Sequence, residues 1–283
     1  MRDVTLIATT FERPRCIAQL LASVRRFLPG IRTLVCDSSR APLFADGTEI
    51  PGGITWLTLP PGIEHTVGAG RNHLLRHVGT PYFFLCDDDH VLTEHTDLAA
   101  MHGFLERHAY DIVGGCQGKG DYGTAVFEQA GDVVYQRFYR HRGVIEPGVV
   151  RCDRVSNTYL ARTHAVREVL WEHRVYANEH AEFFLRATRR GLKIAQMGAV
   201  YVDHRRDCEG ARGVVGHLLG RLLPHRDRAY ARAMIGANAL GLRSRAARDR
   251  ERKYCFEKNG IRRIESVSRA EDRAALTALL EGR

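Results

Sequence analysis

The chain has 283 residues, 44% hydrophobic and 27% charged, with a formal net charge of +9. That length can bury a full core, and that balance is the one found in soluble globular proteins, which excludes a disordered or fibrous chain. The charge is uneven: Arg205 to Arg263 holds sixteen Lys/Arg against six Asp/Glu, so the remainder is close to neutral.

A basic C-terminal region points to an acidic partner such as an anionic membrane surface or a phosphorylated acceptor, although solvated helix faces would read the same way. No nucleic-acid module is visible, so no specific nucleic-acid partner is expected. No apolar stretch approaches the ~20 residues needed to span a bilayer. Met1-Arg2-Asp3-Val4 runs directly into a strand pattern, so no signal peptide is expected. The seven cysteines are scattered, form no C-x-x-C pair, and several sit in apolar runs. A cytoplasmic location is expected, with peripheral contact at the inner membrane face through the basic tail.

In chain order, Val4 to Ala8 reads as a strand, and Cys16, Ile17, Leu20, Leu21, Val24 and Phe27 recur at helical spacing behind Pro14. Thr33–Asp37 and Ile54–Leu59 are the next strands, and a helix follows from about Ala69 to Val78. Tyr82-Phe83-Phe84-Leu85-Cys86 is a strand apolar on both faces. Leu98 to Leu105 is helical, Asp111–Gly115 a strand, and Val126–Glu128 with Val133–Tyr135 a hairpin around Gly131-Asp132. Asn157–Ala161 is a short strand, Glu179 to Arg190 a helix ended by Gly191, and Ala199–Val202 a strand leading to Asp203-His204. Strands alternating with helices imply parallel pairing in a doubly wound α/β sheet. From about Gly210 the pattern becomes helical, with an apolar stripe at Val214, Val215, Leu218, Leu219, Leu222 and Leu223. Ser268-Arg269-Ala270-Glu271 resembles a capping box before Leu276, Leu279 and Leu280.

Asp87-Asp88-Asp89 follow the Tyr82 strand at once. Three adjacent carboxylates repel unless they face water or a cation, and a buried strand delivers them to the carboxyl edge of a sheet, where ligands bind in open α/β folds. A hard cation with oxygen ligands is expected there, completing its shell with phosphate oxygens. His204, at another strand end, is a candidate third ligand. Gly68-Ala69-Gly70-Arg71-Asn72 stands before a helix, where backbone amides face an anion or where the glycines merely loosen a helix start. Arg71 offers a bidentate guanidinium to a diphosphate or to the acids. Glu179, His180 and Glu182 share the first turn of a helix, as dipole-favoured caps or as a general base.

Taken together, these stretches resemble nucleotide-sugar glycosyltransferases of the GT-A fold and family-2 type. The resemblance runs from Val4 to His204. From Ala69 onward it narrows to β1,4-N-acetylgalactosaminyltransferases, through Ala69–Asn72, Asp87–Asp89, Asp111–Gly115, Asn157–Thr163, Val166–Val169, His180–Phe184 and Val202–His204. It implies an inverting transferase that uses a UDP-sugar and Mn²⁺ or Mg²⁺. It places Thr9, Asp37, Arg71, Asn72, Asp87, Asp88 and Asn157 at the nucleotide sugar, with Asp37 near the uracil and Asp87 near the ribose. It places Asp89, Asp87 and His204 on the metal. Many family-2 enzymes carry Glu-Asp where this chain has Glu179-His180, so the base is expected to be Glu182, then His180, then Glu179. The acceptor is a hydroxyl of a glycan, a lipid-linked sugar or another molecule.

The expected organisation is a GT-A-like domain over residues 1–207, with a basic helical extension over 208–283 packed on it. Two rival readings remain. Asp87-x-Asp89-x-Val91 fits the D-x-D-x-V signature of haloacid dehalogenase-like phosphatases, without that family's downstream Gly-Asp-x-x-x-Asp motif. Alternatively, a transferase-like fold survives as an inactive binding module.

Overall fold

The computed structural model describes residues 1–175, 179–205 and 245–282. The chain opens with β1 (Val4–Thr10), α1 (Pro14–Phe27), β2 (Arg32–Asp37), β3 (Thr48–Ile50), β4 (Ile54–Thr58), α2 (Val67–His77) and β5 (Tyr82–Asp87). There follow β6 (His90–Val91), α3 (Leu98–Arg107), β7 (Ile112–Gln117), β8 (Ala125–Ala130), β9 (Val133–Phe138), β10 (Gly143–Glu146), β11 (Val149–Cys152) and β12 (Tyr159–Arg162). The described chain closes with α4 (Thr163–Arg167), α5 (Glu179–Arg189), β13 (Ile194–His204), α6 (Arg245–Lys258), β14 (Arg263–Val267) and α7 (Ala270–Leu280).

The main sheet runs β10-β11-β13-β7-β12-β5-β1-β2-β4-β3. The block β5-β1-β2-β4 is parallel throughout, and β12 enters antiparallel between β5 and β7. Alternation along the central strands sorts the core into two layers. Leu6, Ala8, Phe84 and Cys86 face the layer covered by α1 and α3. Ile7, Phe83 and Leu85 face the layer covered by α2 and α5. Helices on both faces explain why β5 is apolar at every position down to its last residue: each side chain has a hydrophobic neighbour, worth roughly 1.5–3 kcal/mol per large residue.

Several expectations change. Gly68 and Gly70 lie inside the first turn of α2, which Thr66 caps by accepting from Ala69 N at 3.1 Å. A Cβ on Gly68 would sit 2.2 Å from the Glu172 carbonyl oxygen, and one on Gly70 2.9 Å from Thr9 Cγ2. These glycines therefore let α2 approach its neighbours closely. Ser268 does not cap α7: Arg269 is the N-cap residue, without a side-chain cap, so the box pattern is one residue out of place. Gly191 does end α5, at φ +85°, and Gly131 turns the β8–β9 hairpin at φ +60°.

The C-terminal part is not purely helical, because β14 pairs parallel with β9 and completes a three-stranded sheet with β8. Leu276 and Leu280 of α7 pack with Cys116, Tyr122 and Val150 of the body. The apolar stripe from Val214 to Leu223 lies outside the described residues. Among the described residues no helix is long and apolar enough to cross a membrane. Cys36, Cys86, Cys116, Cys152 and Cys255 are buried free thiols, as the apolar runs suggested, whereas Cys16 is disulfide-bonded.

Candidate active site

The carboxyl edge of the parallel block is set by register. Thr9 of β1 is level with Asp87 of β5, and Thr10 with Asp37 of β2. The strand ends therefore deliver their polar residues to one rim. Just beyond β1, Glu12 takes a left-handed backbone (φ 54°), which costs a non-glycine residue roughly 1–2 kcal/mol and carries the chain into Arg13. Arg13 Nη1 donates to Asp88 Oδ1 at 2.6 Å and Nη2 to Asp89 Oδ2 at 2.9 Å; Thr10 Oγ1 donates to Asp88 Oδ2 at 2.8 Å. One guanidinium thus bridges two of the three adjacent aspartates. Burial still pushes the Asp88 carboxyl up to about 7, against the charge of Arg13. Burial acts the same way on Asp89, but there the His204 hydrogen bond and Arg13 outweigh it and hold the carboxyl below its ordinary range.

His204 reaches this rim because β13 continues past the main sheet and pairs with the two-residue β6, His204 opposite His90. Its Nε2 lies 3.4 Å from Asp89 Oδ2. Donor atoms of Asp89, His90 and His204 all fall within 4.8 Å of one another. Asp87 is not in this convergent set. Its Oδ1 accepts from Arg71 Nη2 at 2.8 Å and its Oδ2 from Asn157 Nδ2 at 3.0 Å. His90 thus joins the expected Asp89 and His204 as a residue that could hold a metal ion, and Asp87, also expected there, has its Oδ2 4.0 Å from His90 Nε2. One carboxylate with two imidazoles departs from the all-oxygen donor sets that Ca²⁺ and Mg²⁺ take.

The predicted nucleotide residues separate into two kinds. Arg71, Asp87 and Asn157 form a connected row at the rim. Arg71 Nη1 is buried without a hydrogen-bond partner among the described residues, 3.9 Å from Glu179 Oε1. A buried guanidinium N–H left unfilled fits a site that awaits an anion. Thr9, Asp37 and Asn72 each contact neighbouring parts of the fold. Thr9 packs against Gly70. Asp37 accepts the backbone amides of Ser39 at 3.0 Å and Leu43 at 2.9 Å, so it shapes the loop after β2 with both oxygens engaged. Asn72 clasps the Trp171 backbone, donating to its carbonyl at 2.8 Å and accepting from its amide at 2.9 Å. Both side chains are buried.

The three candidate bases differ most. Glu182, the first choice from sequence, points to the rear of α5. It is 1% exposed, and its oxygens accept from Arg186 Nε at 2.5 Å, Arg186 Nη2 at 2.8 Å and Asn259 Nδ2 at 3.3 Å, with Lys258 Nζ also at 3.3 Å. Glu182 is thus held by Arg186, Lys258 and Asn259 and, contrary to expectation, does not join the residues gathered at the rim. His180 has Nδ1 against Asn157 Oδ1 and Nε2 2.7 Å from the Val155 carbonyl, leaving no ring nitrogen open. Burial, with Arg154 and Arg71 nearby, holds it well below the usual imidazole range. Glu179, ranked last, is the one on the rim side: its side chain is 14% exposed beside Arg71. Burial raises its pKa above the ordinary carboxylate value, and Arg71 moderates the rise.

Sequence reasoning passed over Arg13, His90 and Arg154. Arg13 could have been found from its position just past the first strand, on the rim that also receives the acids. His90 directly follows the triplet. Arg154 carried no signal. Its guanidinium stacks 5.0 Å over Phe138, with Nε and Nη1 buried and without hydrogen-bond partners among the described residues. Burial lowers it to about 10, although the charge of Glu179 works in the other direction.

Residues 61–170, from the approach to α2 through the acidic rim to α4, match the family model "Glycosyl transferase family 2". With the sheet order above, this places the chain in the GT-A-fold, family-2 class of glycosyltransferases. Among curated proteins, it is similar to human beta-1,4 N-acetylgalactosaminyltransferase 1, 32% identical over 71% of this chain. It is also similar to mouse beta-1,4 N-acetylgalactosaminyltransferase 2, 29% identical over 72% of this chain. The chain spans 38% of the human and 40% of the mouse relative. The S. aureus TarS 1–349 structure in complex with UDP-GlcNAc superposes with a TM-score of 0.51 at 15% identity, covering 83% of this chain and 70% of that one. This last likeness is one of fold.

Proposed function

We propose that the chain is an inverting glycosyltransferase that moves a hexose or N-acetylhexosamine from a UDP-sugar to an acceptor hydroxyl with the help of a divalent cation. The observation that carries this reading is the Arg71 bridge. One guanidinium holds Asp87 at the end of β5 and faces Glu179 on α5, with a buried N–H left over for an anion. The TarS complexes with UDP-GlcNAc and UDP support a UDP-linked donor, and the relatives' names favour an N-acetylhexosamine.

In this reading Asp87 and Asn157 contact the nucleotide sugar, while Arg71 Nη1 donates to its diphosphate. Asp89, His90 and His204 hold Mn²⁺ or Mg²⁺, which when bound neutralises charge on the departing phosphate. Glu179 takes the proton from the acceptor hydroxyl as that oxygen bonds to the anomeric carbon. The bond to the phosphate oxygen breaks on the opposite face, which inverts the configuration and releases UDP. The raised pKa of Glu179 suits a base working near neutral pH. Residues 1–207 carry this chemistry, and 208–283 form a supporting extension. In a cytoplasmic enzyme the basic part of that extension meets anionic membrane at about 1 kcal/mol per basic residue near the surface. Liposome flotation that ignores anionic lipid content would remove that last element.

The test is UDP release from a panel of nucleotide sugars, with and without Mn²⁺, by the parent and Glu179→Gln. Metal-stimulated release by the parent, with UDP binding retained but transfer lost in the variant, is expected. Phosphate release from p-nitrophenyl phosphate, with no nucleotide sugar used, would favour the phosphatase reading instead.

A further inference from the structure

Two carboxylates behind the rim are almost completely buried: Glu172, 4% exposed, and Glu182, 1%. A buried carboxylate persists only when cations and donors surround it. Glu182 has Arg186, one turn on in the same helix. Glu172 has a different arrangement. Its Oε1 accepts from the Arg174 amide at 2.9 Å, and its Oε2 from Tyr254 at 3.2 Å and from Lys258 Nζ at 2.5 Å. Lys258 is its one lysine or arginine partner among the described residues. The same ammonium lies 3.3 Å from Glu182 Oε1. One atom at the C-terminus of α6 therefore joins both carboxylates, which stand on either side of Glu179 in the chain.

The two attachments lead directly to the chemistry. On one side, the segment at Trp171–His173 is pressed on the first turn of α2. Asn72 holds Trp171, Thr66 donates to the His173 carbonyl at 2.8 Å, and the Glu172 carbonyl occupies the space of a Gly68 side chain. That same α2 carries Arg71. On the other side, Glu182 lies three residues past Glu179, on the neighbouring face of the same helical turn, so shifting one shifts the other. Asn259 reinforces this side by receiving Arg189 Nη1 on its carbonyl at 2.6 Å.

We infer that Lys258 is a positioning residue for the transfer step: by joining Glu172 to Glu182 it sets where Glu179 stands relative to Arg71 and the acceptor. The inference rests on Glu179 being the base. It assigns the C-terminal segment, which lies beyond the matched family stretch, a part in catalysis.

The experiment compares Lys258→Met, Lys258→Arg, Glu172→Gln and Glu179→Gln in full-length protein. Turnover and KM are read with the nucleotide sugar selected by the UDP-release panel, UDP affinity by calorimetry, and folding by thermal melting. Lys258→Met is expected to lower kcat about tenfold to a hundredfold, because small misplacements of a reacting group cost that much. Its UDP affinity should stay within about twofold of the parent. Lys258→Arg, which keeps a donor for both carboxylates, should recover most of the rate. Glu172→Gln should lose rate severalfold at unchanged UDP affinity, and it keeps the test open if Lys258→Met does not fold. Unchanged kcat in folded Lys258→Met or in Glu172→Gln overturns the inference. So does a fall in kcat matched by an equal fall in the fraction of molecules that bind UDP. If Glu179→Gln transfers sugar as the parent does, the reading of the base fails and takes the inference with it. A dead Glu179→Gln beside a normal Lys258→Met sinks the inference alone.

Discussion

Two acidic clusters stand at opposite sides of α5, and they differ in how completely the groups around them are partnered. At the rim, Asp87, Asp88 and Asp89 meet Arg13 and Arg71, and a buried guanidinium N–H remains without a partner among the described residues. Behind the helix, Glu172 and Glu182 meet Arg186, Lys258, Tyr254 and Asn259, and their oxygens are filled. Both clusters are rich in charge and both are buried, so neither property tells them apart. What differs is saturation. A cluster that satisfies itself holds the fold together, whereas one with donors in reserve can still take a ligand.

The largest test of this contrast removes a rim acid. Asp89→Ala is expected to cut metal-stimulated UDP release by about a thousandfold, in line with the several kcal/mol that a dication supplies to a departing phosphate. Manganese binding followed by calorimetry should disappear with it. Second, Glu182→Gln should behave as a stability mutant. It weakens a buried charge network at a cost of about 1–3 kcal/mol, read as a lower melting temperature. The pH–rate profile of the folded protein should keep its shape, and an altered shape would return Glu182 to the catalytic role that sequence favoured.

Third, Arg154→Met removes a positive charge felt by Glu179. Glu179 already sits above the ordinary carboxylate range through burial, with Arg71 opposing. Since a base must be ionised, activity should fall with decreasing pH through a value above that range. The variant's acid limb should lie higher still. The smallest effect concerns the rear cluster. Burial works to raise the Glu172 carboxyl, but Lys258, the Arg174 amide and Tyr254 bring it below its usual value. Its stabilising share is then fully present above the unfolded value of about 4.3 and is lost as pH falls through the lower folded value. The melting difference between parent and Lys258→Met should therefore persist from neutrality to about pH 5 and shrink below that range.

Much of the fold was legible in the residues because hydrophobic period and turn chemistry agree there. The all-apolar run from Tyr82 to Cys86 announced a central strand, and Asp87–Asp89 announced the rim. Gly191 announced the end of α5. The short strands β3, β10, β11 and β14 escaped because brief polar segments such as Arg263–Val267 acquire strand character from the neighbour they pair with. The site was legible as a set of residues and illegible as a set of roles. Glu179 and Glu182 have the same chemistry on the same helical turn, and only tertiary partners set them apart, Arg71 beside the one and Lys258 and Asn259 at the other. Arg186 at i+4 from Glu182 was visible in the sequence, and it is the local sign that this acid is engaged. Lys258, contributed from 76 residues further on, left no such sign.

The length of β13 acts as a ruler. It begins level with β7 in the main sheet at Ile194, passes an irregularity between Gln196 and Tyr201, and ends by delivering His204 opposite His90. Side chains along a strand point up and down in strict turn, so the phase at the far tip depends on the count of residues beyond the kink. Adding a single residue between Val202 and His204 would turn the imidazole to the other side while leaving the buried Val202 in register. Such a change deletes nothing, yet it would take His204 away from Asp89 and His90.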